Sequence, residues 1–396
     1  MESPRIWHMT SNRWNSAITE YALCTALALK ERGHRESWFS PLRGSPSETR
    51  AKNLGLNPMS FESFSPQPRV LIKTLGLIKQ LAPQIIIVYE GKEDFLVSCM
   101  KKLTGSSYSI VRFYGSGAMV EKRKLRFLSF LAPTCRVVPS RAMEKKIQAL
   151  PGKSPIHRIP LGSLGKRFRS ETQQERPFFL IFGRLDPVKG HREFMEVFAL
   201  FLKGLSPQSP KPYLLILGQE ANLTCADLET QARSLGLTPG EEIQIEKKFV
   251  EDPPSLLSRA ILGVVPSLDS EWIVRVGQEF LLCGTPIFVS QVGSLEETLF
   301  CPEAGASFSQ KWTPQSIADE LSRFYDSLRL WDIPGARSAL AQKAQTLFSI
   351  GKMGQAWDEL SRNLPKIGGC ASAPSTSKGP SHRAQTGPQG STSAQN

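Results

Sequence analysis

The sequence predicts an α/β protein of two Rossmann-like, doubly wound domains facing across a cleft, followed by C-terminal helices. Three observations lead there. Short, nearly continuous apolar runs alternate with stretches of helical spacing, the pattern of parallel strands joined by crossover helices. That alternation breaks once, in a polar, charged stretch around Leu161–Arg176, and resumes at Phe178-Phe-Leu-Ile-Phe182. The 396 residues suit two domains at roughly 100–200 residues each.

In chain order, Ile6-Trp7-His8 is the opening strand. Ala17 to Arg32 carries Ile18, Tyr21, Ala22, Thr25 and Leu29 at helical spacing and stops at Gly33. Further strands are expected at Gln84–Tyr89, Tyr108–Phe113, Arg136–Val138 and Ile156–Ile159. The second half repeats the scheme at Phe178–Phe182, Tyr213–Leu217, Glu242–Ile245, Ile261–Pro266 and Pro286–Ser290. Beyond Thr313 the pattern is purely helical to about Pro365, and from Gly368 onward there is no Leu, Ile, Val, Phe, Tyr, Trp or Met. Such a tail buries too little apolar surface to offset its ordering entropy. The expected organisation is a first domain at 1–165, a second at 166–345, a terminal helix at 346–366 crossing back to the first domain, and a disordered tail at 367–396.

Composition excludes several classes. A chain with 40% hydrophobic residues and seven Cys scattered without a Cys-x-x-Cys pair is neither a disordered protein, nor a collagen, nor a disulfide scaffold. It argues for a reducing compartment and against structural zinc. No apolar run approaches the ~20 residues of a spanning helix, and the N-terminus lacks the pattern of a secretory signal. The expected location is therefore cytoplasmic.

The net charge of +13 is concentrated: Lys101–Arg169 holds sixteen Lys and Arg against Glu121 and Glu144. A block of this kind attracts phosphate-rich partners. Its sharpest part sets Lys122, Arg123, Lys124 and Arg126 beside Leu125, Phe127, Leu128, Phe130 and Leu131. This reads either as an interfacial helix on an anionic membrane surface or as a basic surface helix packed on its own core. No RNA-binding or zinc-finger signature accompanies it, so no nucleic acid partner is expected.

Two strand-to-helix turns carry the chemistry. Gly183-Arg184-Leu185-Asp186-Pro187-Val188-Lys189-Gly190 places two cations around a proline turn at a helix start, which suits a diphosphate. Pro266-Ser267 is followed by Glu271 and, eight residues on, Glu279. Carboxylates near a phosphate are suited to accepting hydrogen bonds from sugar hydroxyls. Together these groups describe a nucleotide-sugar site.

Read jointly, the segments resemble glycosyltransferase family 4, the retaining group with the GT-B fold. The matching residues are Gly183-Arg184-Leu185…Lys189-Gly190, Pro266-Ser267, Glu271…Glu279, Cys283-Gly284-Thr285-Pro286 and Val292-Gly293-Ser294-Leu295-Glu296-Glu297. The resemblance implies a bacterial, cell-envelope type of enzyme that transfers a sugar to a glycan or lipid-linked acceptor. It implies that Arg184 and Lys189 hold the donor diphosphate and that Glu271 contacts the transferred sugar. Glu279 would take the ribose hydroxyls, and backbone N–H groups of Ile273, Val274, Arg275 and Val276 would cap the phosphates beside Gly183. No Asp-x-Asp occurs, so no metal or other cofactor is expected.

The departures bear on the acceptor side. The family's Glu-Gly-Phe-Gly reads Glu271-Trp272-Ile273-Val274 here, followed by Arg275, a Ser-Glu-x-x-x-Arg-Val variant in which Arg275 adds a third cation to the phosphate site or meets a uronic-type donor. Tyr114-Gly115 stands where many members have His-Gly, and Trp14-Asn15-Ser16 replaces the early glycine pair. Asn15, Ser16 and Tyr114 are the expected acceptor-side residues. The alternative to an enzyme is a catalytically silent GT-B scaffold or a polyanion-binding protein. An active enzyme would sit at the inner face of the cytoplasmic membrane, with a lipopolysaccharide core or another envelope glycan as acceptor.

Overall fold

The computed structural model describes residues 3–121, 133–150, 152–163, 176–248, 250, 252–269, 271–329 and 335–367. Lys122, Arg123, Lys124 and Arg126 lie outside the described residues, as do most of the polar linker and the tail.

Two six-stranded sheets form the frame. The first contains β1 (Ile6–Thr10), β2 (Ser37–Pro41), β3 (Ile85–Val88), β4 (Ser109–Phe113), β5 (Cys135–Val138) and β6 (Ile156–Arg158) in the order β2-β1-β3-β4-β5-β6. The second contains β7 (Phe178–Phe182), β8 (Tyr213–Leu217), β9 (Ile243–Glu246), β10 (Leu262–Val265), β11 (Ile287–Ser290) and β12 (Gly305–Phe308) in the order β12-β11-β10-β7-β8-β9. Every described pairing is parallel. The doubly wound α/β fold expected from the sequence is the fold observed.

The central strands β1, β3, β4 and β5 are buried along their whole length, because helices cover both faces. Such strands read as unbroken apolar runs. Two strands lacked that signal. β2 (Ser-Trp-Phe-Ser-Pro) and β12 (Gly-Ala-Ser-Phe) each lie at one edge of their sheet. An edge strand tolerates Ser, Gly and a terminal Pro because only one of its sides pairs with another strand of the sheet.

In the first domain the helices are α1 (Ala17–Glu31), α2 (Pro46–Asn53), α3 (Pro68–Leu81), α4 (Gly91–Thr104) and α5 (Arg141–Gln148), apart from a single turn at Ala118–Glu121. The second domain adds α6 (His191–Gly204), α7 (Cys225–Ser234), α8 (Pro253–Arg259), α9 (Arg275–Leu282), α10 (Pro314–Arg329) and α11 (Ala336–Phe348). The last helix, α12 (Ile350–Ile367), packs on α1: Met353, Trp357, Leu360 and Leu364 share a buried cluster with Tyr21, Ala22 and Leu29. Asp358 receives a hydrogen bond from His34 at 2.8 Å on the same face. The chain leaves the first domain past Ser163 and returns past Ser349, where Ser163 N–H donates to Phe348 O (2.8 Å) and Ile350 N–H to Ser163 O (3.0 Å).

Candidate functional site

The second sheet reverses its strand order between β7 and β10. In open α/β sheets ligands bind outside the carboxyl ends of the strands at such a point. The loops after β7 and β10 are the two that hold the charged motif residues.

These loops are pressed together. Gly190 sits at φ +70°, and a Cβ there would lie 2.0 Å from Pro266 O, so glycine is required on both conformational and steric grounds. Leu268 N–H donates to Val188 O at 2.8 Å and closes the contact. Gly293, in the loop after β11, stands at φ +60° with Glu271 O only 2.3 Å from its would-be Cβ. Ser294 N–H donates to that same carbonyl at 2.7 Å.

The approach brings Lys189 Nζ into an ion pair with Glu271 Oε1. Ser267 Oγ donates to the same oxygen at 2.7 Å, and Glu271 is only 8% exposed. Arg184 is exposed at the mouth and pairs with Asp186 at 3.1 Å; Asn222 Nδ2 donates to the same Asp186 oxygen at 3.0 Å. Gly183 lies between β7 and Arg184. His191, directly after Gly190, is buried, and burial pushes its imidazole down to about 4. It is therefore neutral behind Lys189.

The second carboxylate faces the first domain. Glu279, on α9, accepts from Arg275 Nε at 3.2 Å. Arg275 Nη1 also reaches Glu20 of α1 at 3.9 Å, and Arg50 of α2 holds Glu20 at 2.5 Å. Burial raises the Glu279 carboxyl against the pull of Arg275. Burial would raise Glu20 as well, but Arg50 and Arg275 outweigh it and hold it below the usual range. Arg275, expected as a third cation of the phosphate site or as the partner of a uronic-type donor, is flanked by two acids. Val274 precedes α9 without a side-chain cap, so the first-turn N–H groups around Val276 are not occupied by a capping side chain.

The bulky residues that stand in place of the motif's Gly-Phe-Gly have a packing role. Ile273 enters the buried cluster of the first domain with Tyr21 and Phe113. A Cβ on Gly115 would come within 2.9 Å of its Cδ1. Trp272 packs beside Tyr114 and Met143, with Lys146 Nζ 4.9 Å from its ring centroid. Val274 turns into the second domain's own core. One tripeptide therefore joins both cores.

A further bridge was not anticipated from the motif. Glu297 of the Val-Gly-Ser-Leu-Glu-Glu run accepts from the backbone N–H groups of Arg141 and Ala142, at 2.8 Å each, at the start of α5. Ser294 Oγ donates to Ser140 Oγ at 2.6 Å beside it. A carboxylate at a helix N-terminus is favourable, and here it comes from the other domain. Glu20 and Arg50 were likewise unread, because nothing in their local sequence marks them.

On the first domain, Ser16 caps α1 and accepts from Thr19 N–H and Asn12 Nδ2. Asn15 is exposed and its Oδ1 accepts from Arg50 at 3.2 Å. Tyr114, expected on the acceptor side, is 2% exposed and packs with Met119, Val138 and Met143. It belongs to the core. Among the described residues no three His, Cys, Asp or Glu side chains gather as a metal group, and no helix is long and apolar enough to cross a membrane.

Residues 165–344 match the sequence profile of the family described as Glycosyl transferases group 1. No curated relative matches by sequence. Solved structures do match in fold. Anabaena Alr3699/HepE, in complex with UDP and glucose, superposes with a TM-score of 0.72 at 16% identity, over 92% of this chain and 100% of that one. Sucrose-phosphate synthase from Thermosynechococcus elongatus gives 0.68 at 16% identity, over 91% and 99%. The lipopolysaccharide outer core galactosyltransferase WaaB gives 0.66 at 11% identity, over 91% and 99%. The second half of the chain thus resembles a glycosyl transferases group 1 domain, and the chain as a whole has the GT-B fold of these structures.

Proposed function

We propose that the chain is a retaining, family 4-type glycosyltransferase that moves a sugar from a nucleotide-diphosphate donor to a glycan or glycolipid acceptor. The observation that carries this reading is the cluster of Arg184, Lys189, Ser267 and Glu271 at the strand-order reversal of the second sheet. A diphosphate entering there takes Lys189 as its counterion and joins Arg184. Glu271 is then released toward the hydroxyls of the transferred sugar while Ser267 keeps it oriented. The two cations stabilise the charge that develops on the departing diphosphate, the kind of interaction that lowers a barrier most. They also supply the charge compensation that a metal would otherwise give. Backbone N–H groups of Ile273–Val276 cap the phosphates, and Glu279, oriented by Arg275, takes the ribose hydroxyls. Attack on the same face of the sugar retains its configuration.

The UDP bound to HepE supports a uridine donor, and the activity named for WaaB supports a lipopolysaccharide core or similar envelope acceptor. The excess of cations in the first half of the chain is consistent with work at the inner face of the cytoplasmic membrane. A thermal-shift panel of UDP-, GDP-, ADP- and CMP-sugars on wild type and Glu279→Ala tests the donor site. A ligand at ~100 times its Kd adds about 2.7 kcal/mol of stability. One nucleotide class should stabilise the wild type and fail on the variant. If no nucleotide shifts the wild type, a catalytically silent scaffold, favoured by Trp272 and Val274 in the place of glycines, takes over.

A further inference from the structure

Trp14 is 72% exposed. Single exposed apolar side chains are ordinary on a protein surface, and Ile72 and Leu103, equally exposed on helices, call for no explanation. Two features set Trp14 apart. The first is its place: it lies on the loop leaving β1, and the first sheet reverses its strand order between β1 and β3, so the loop stands where open sheets take ligands. The second is how firmly it is held. Trp14 N–H donates to Asn12 Oδ1 at 2.8 Å, and its carbonyl accepts from Thr19 Oγ1 at 2.7 Å and from Ser16 N–H at 3.0 Å. Asn12 is itself tied to Ser16 at 2.9 Å. The backbone is fixed while the indole is left in water, forgoing the gain from burial.

The surroundings specify the ligand chemistry. Asn15, the next residue, is exposed, with its amide oxygen held by Arg50. Arg50 binds Glu20, and Glu20 reaches Arg275 in the first turn of α9. The loop is therefore linked, side chain to side chain, to the proposed donor site, yet belongs to the opposite domain. A pyranose ring has one face of polarised C–H groups and a rim of hydroxyls. The negative face of an indole π system attracts the former, and an amide hydrogen-bonds the latter.

We infer that Trp14 is the stacking platform for a pyranose ring of the acceptor, with Asn15 on that ring's hydroxyl rim. This rests on the glycosyltransferase reading, and the test separates the two. The indole 1H–15N resonances of the full chain are recorded, with the Trp14 peak assigned by its loss in Trp14→Phe. Methyl β-glucopyranoside and methyl β-galactopyranoside are titrated in, with mannitol as a linear polyol control. The Trp14 peak moves with a pyranoside, saturating at millimolar concentration, and not with mannitol. In Trp14→Ala the response of the Asn15 backbone amide to the same glycoside weakens by about tenfold, 1.4 kcal/mol. A peak that no pyranoside moves, or that mannitol moves equally, overturns the inference. A UDP thermal shift on the same wild-type sample reports on the donor reading. UDP stabilisation with no pyranoside response sinks the platform alone; a pyranoside response without UDP stabilisation keeps the platform and sinks the donor site.

Discussion

At the reversal between β1 and β3 the first domain places Ser11, Asn12, Glu90 and Glu93; at the reversal between β7 and β10 the second places Arg184, Lys189, Ser267 and Glu271. The topological position is the same and the chemistry differs. In the first, Glu90 and Glu93 form a reciprocal cap at the start of α4, Ser11 Oγ donates to Glu90 at 3.0 Å, and Ser11 N–H donates to Glu93 at 3.3 Å. Burial first, and the charge of Glu90 second, push the Glu93 carboxyl up to about 7. In the second, cations sit beside the carboxylate. A phosphate is repelled from the acidic end and welcomed at the basic one. Strand order supplies two equivalent places, and side-chain charge singles out the basic one as the place proposed for the nucleotide.

The largest expected effect comes from removing the cation that makes the second end basic. Lys189→Met should lower kcat/KM for a nucleotide-sugar by roughly 10²–10³, the loss typical of deleting one group that stabilises developing charge. Unchanged turnover would break the contrast altogether. Next is the residue that joins the two ends: Ile273→Ala should cost about 2–5 kcal/mol in urea unfolding. Calorimetry on the variant should then resolve separate transitions as the domains uncouple, where the wild type gives one.

The acidic end offers a pH test. A carboxyl raised from about 4.5 to about 7 in the fold contributes its stability below the lower value and loses it as pH climbs through the upper one. Glu93→Gln should therefore match the wild type near pH 4 and exceed it above pH 7, by on the order of 2 kcal/mol. An advantage present equally at both pH values would show that Glu93 does not titrate as its burial demands. The smallest effect is Glu297→Gln, which weakens the cross-domain helix cap by about 1 kcal/mol, read as a lower urea midpoint.

The second domain was the more legible. Phe178–Phe182 and Tyr213–Leu217 are strands from end to end as their apolar runs indicate, because a fully buried parallel strand has no polar face to confuse the pattern. The outer strands β2 and β12 were invisible for the converse reason. The charged loops after β7 and β10 were legible because motif spacing places them at strand ends. The roles of Trp272, Ile273 and Glu297 were not, since each acts on a partner in the other domain, more than a hundred residues away. Tyr114, expected on the acceptor side, is buried, and a position in a pattern does not say whether a ring points into the core.

The paired passage at Ser163 and Ser349 has a mechanical consequence. Where the chain leaves the first domain at Ser163 and returns at Ile350, the two segments are hydrogen-bonded to each other, like the bound edge of a book's spine. A motion that separates these two segments has to break those bonds. A Cβ on Gly162 would lie 2.7 Å from Ser349 O and from Met353 Cβ, so the spine is already closed tight. Gly162→Val should wedge it, and small-angle scattering should register a changed radius of gyration while both pages keep their folds.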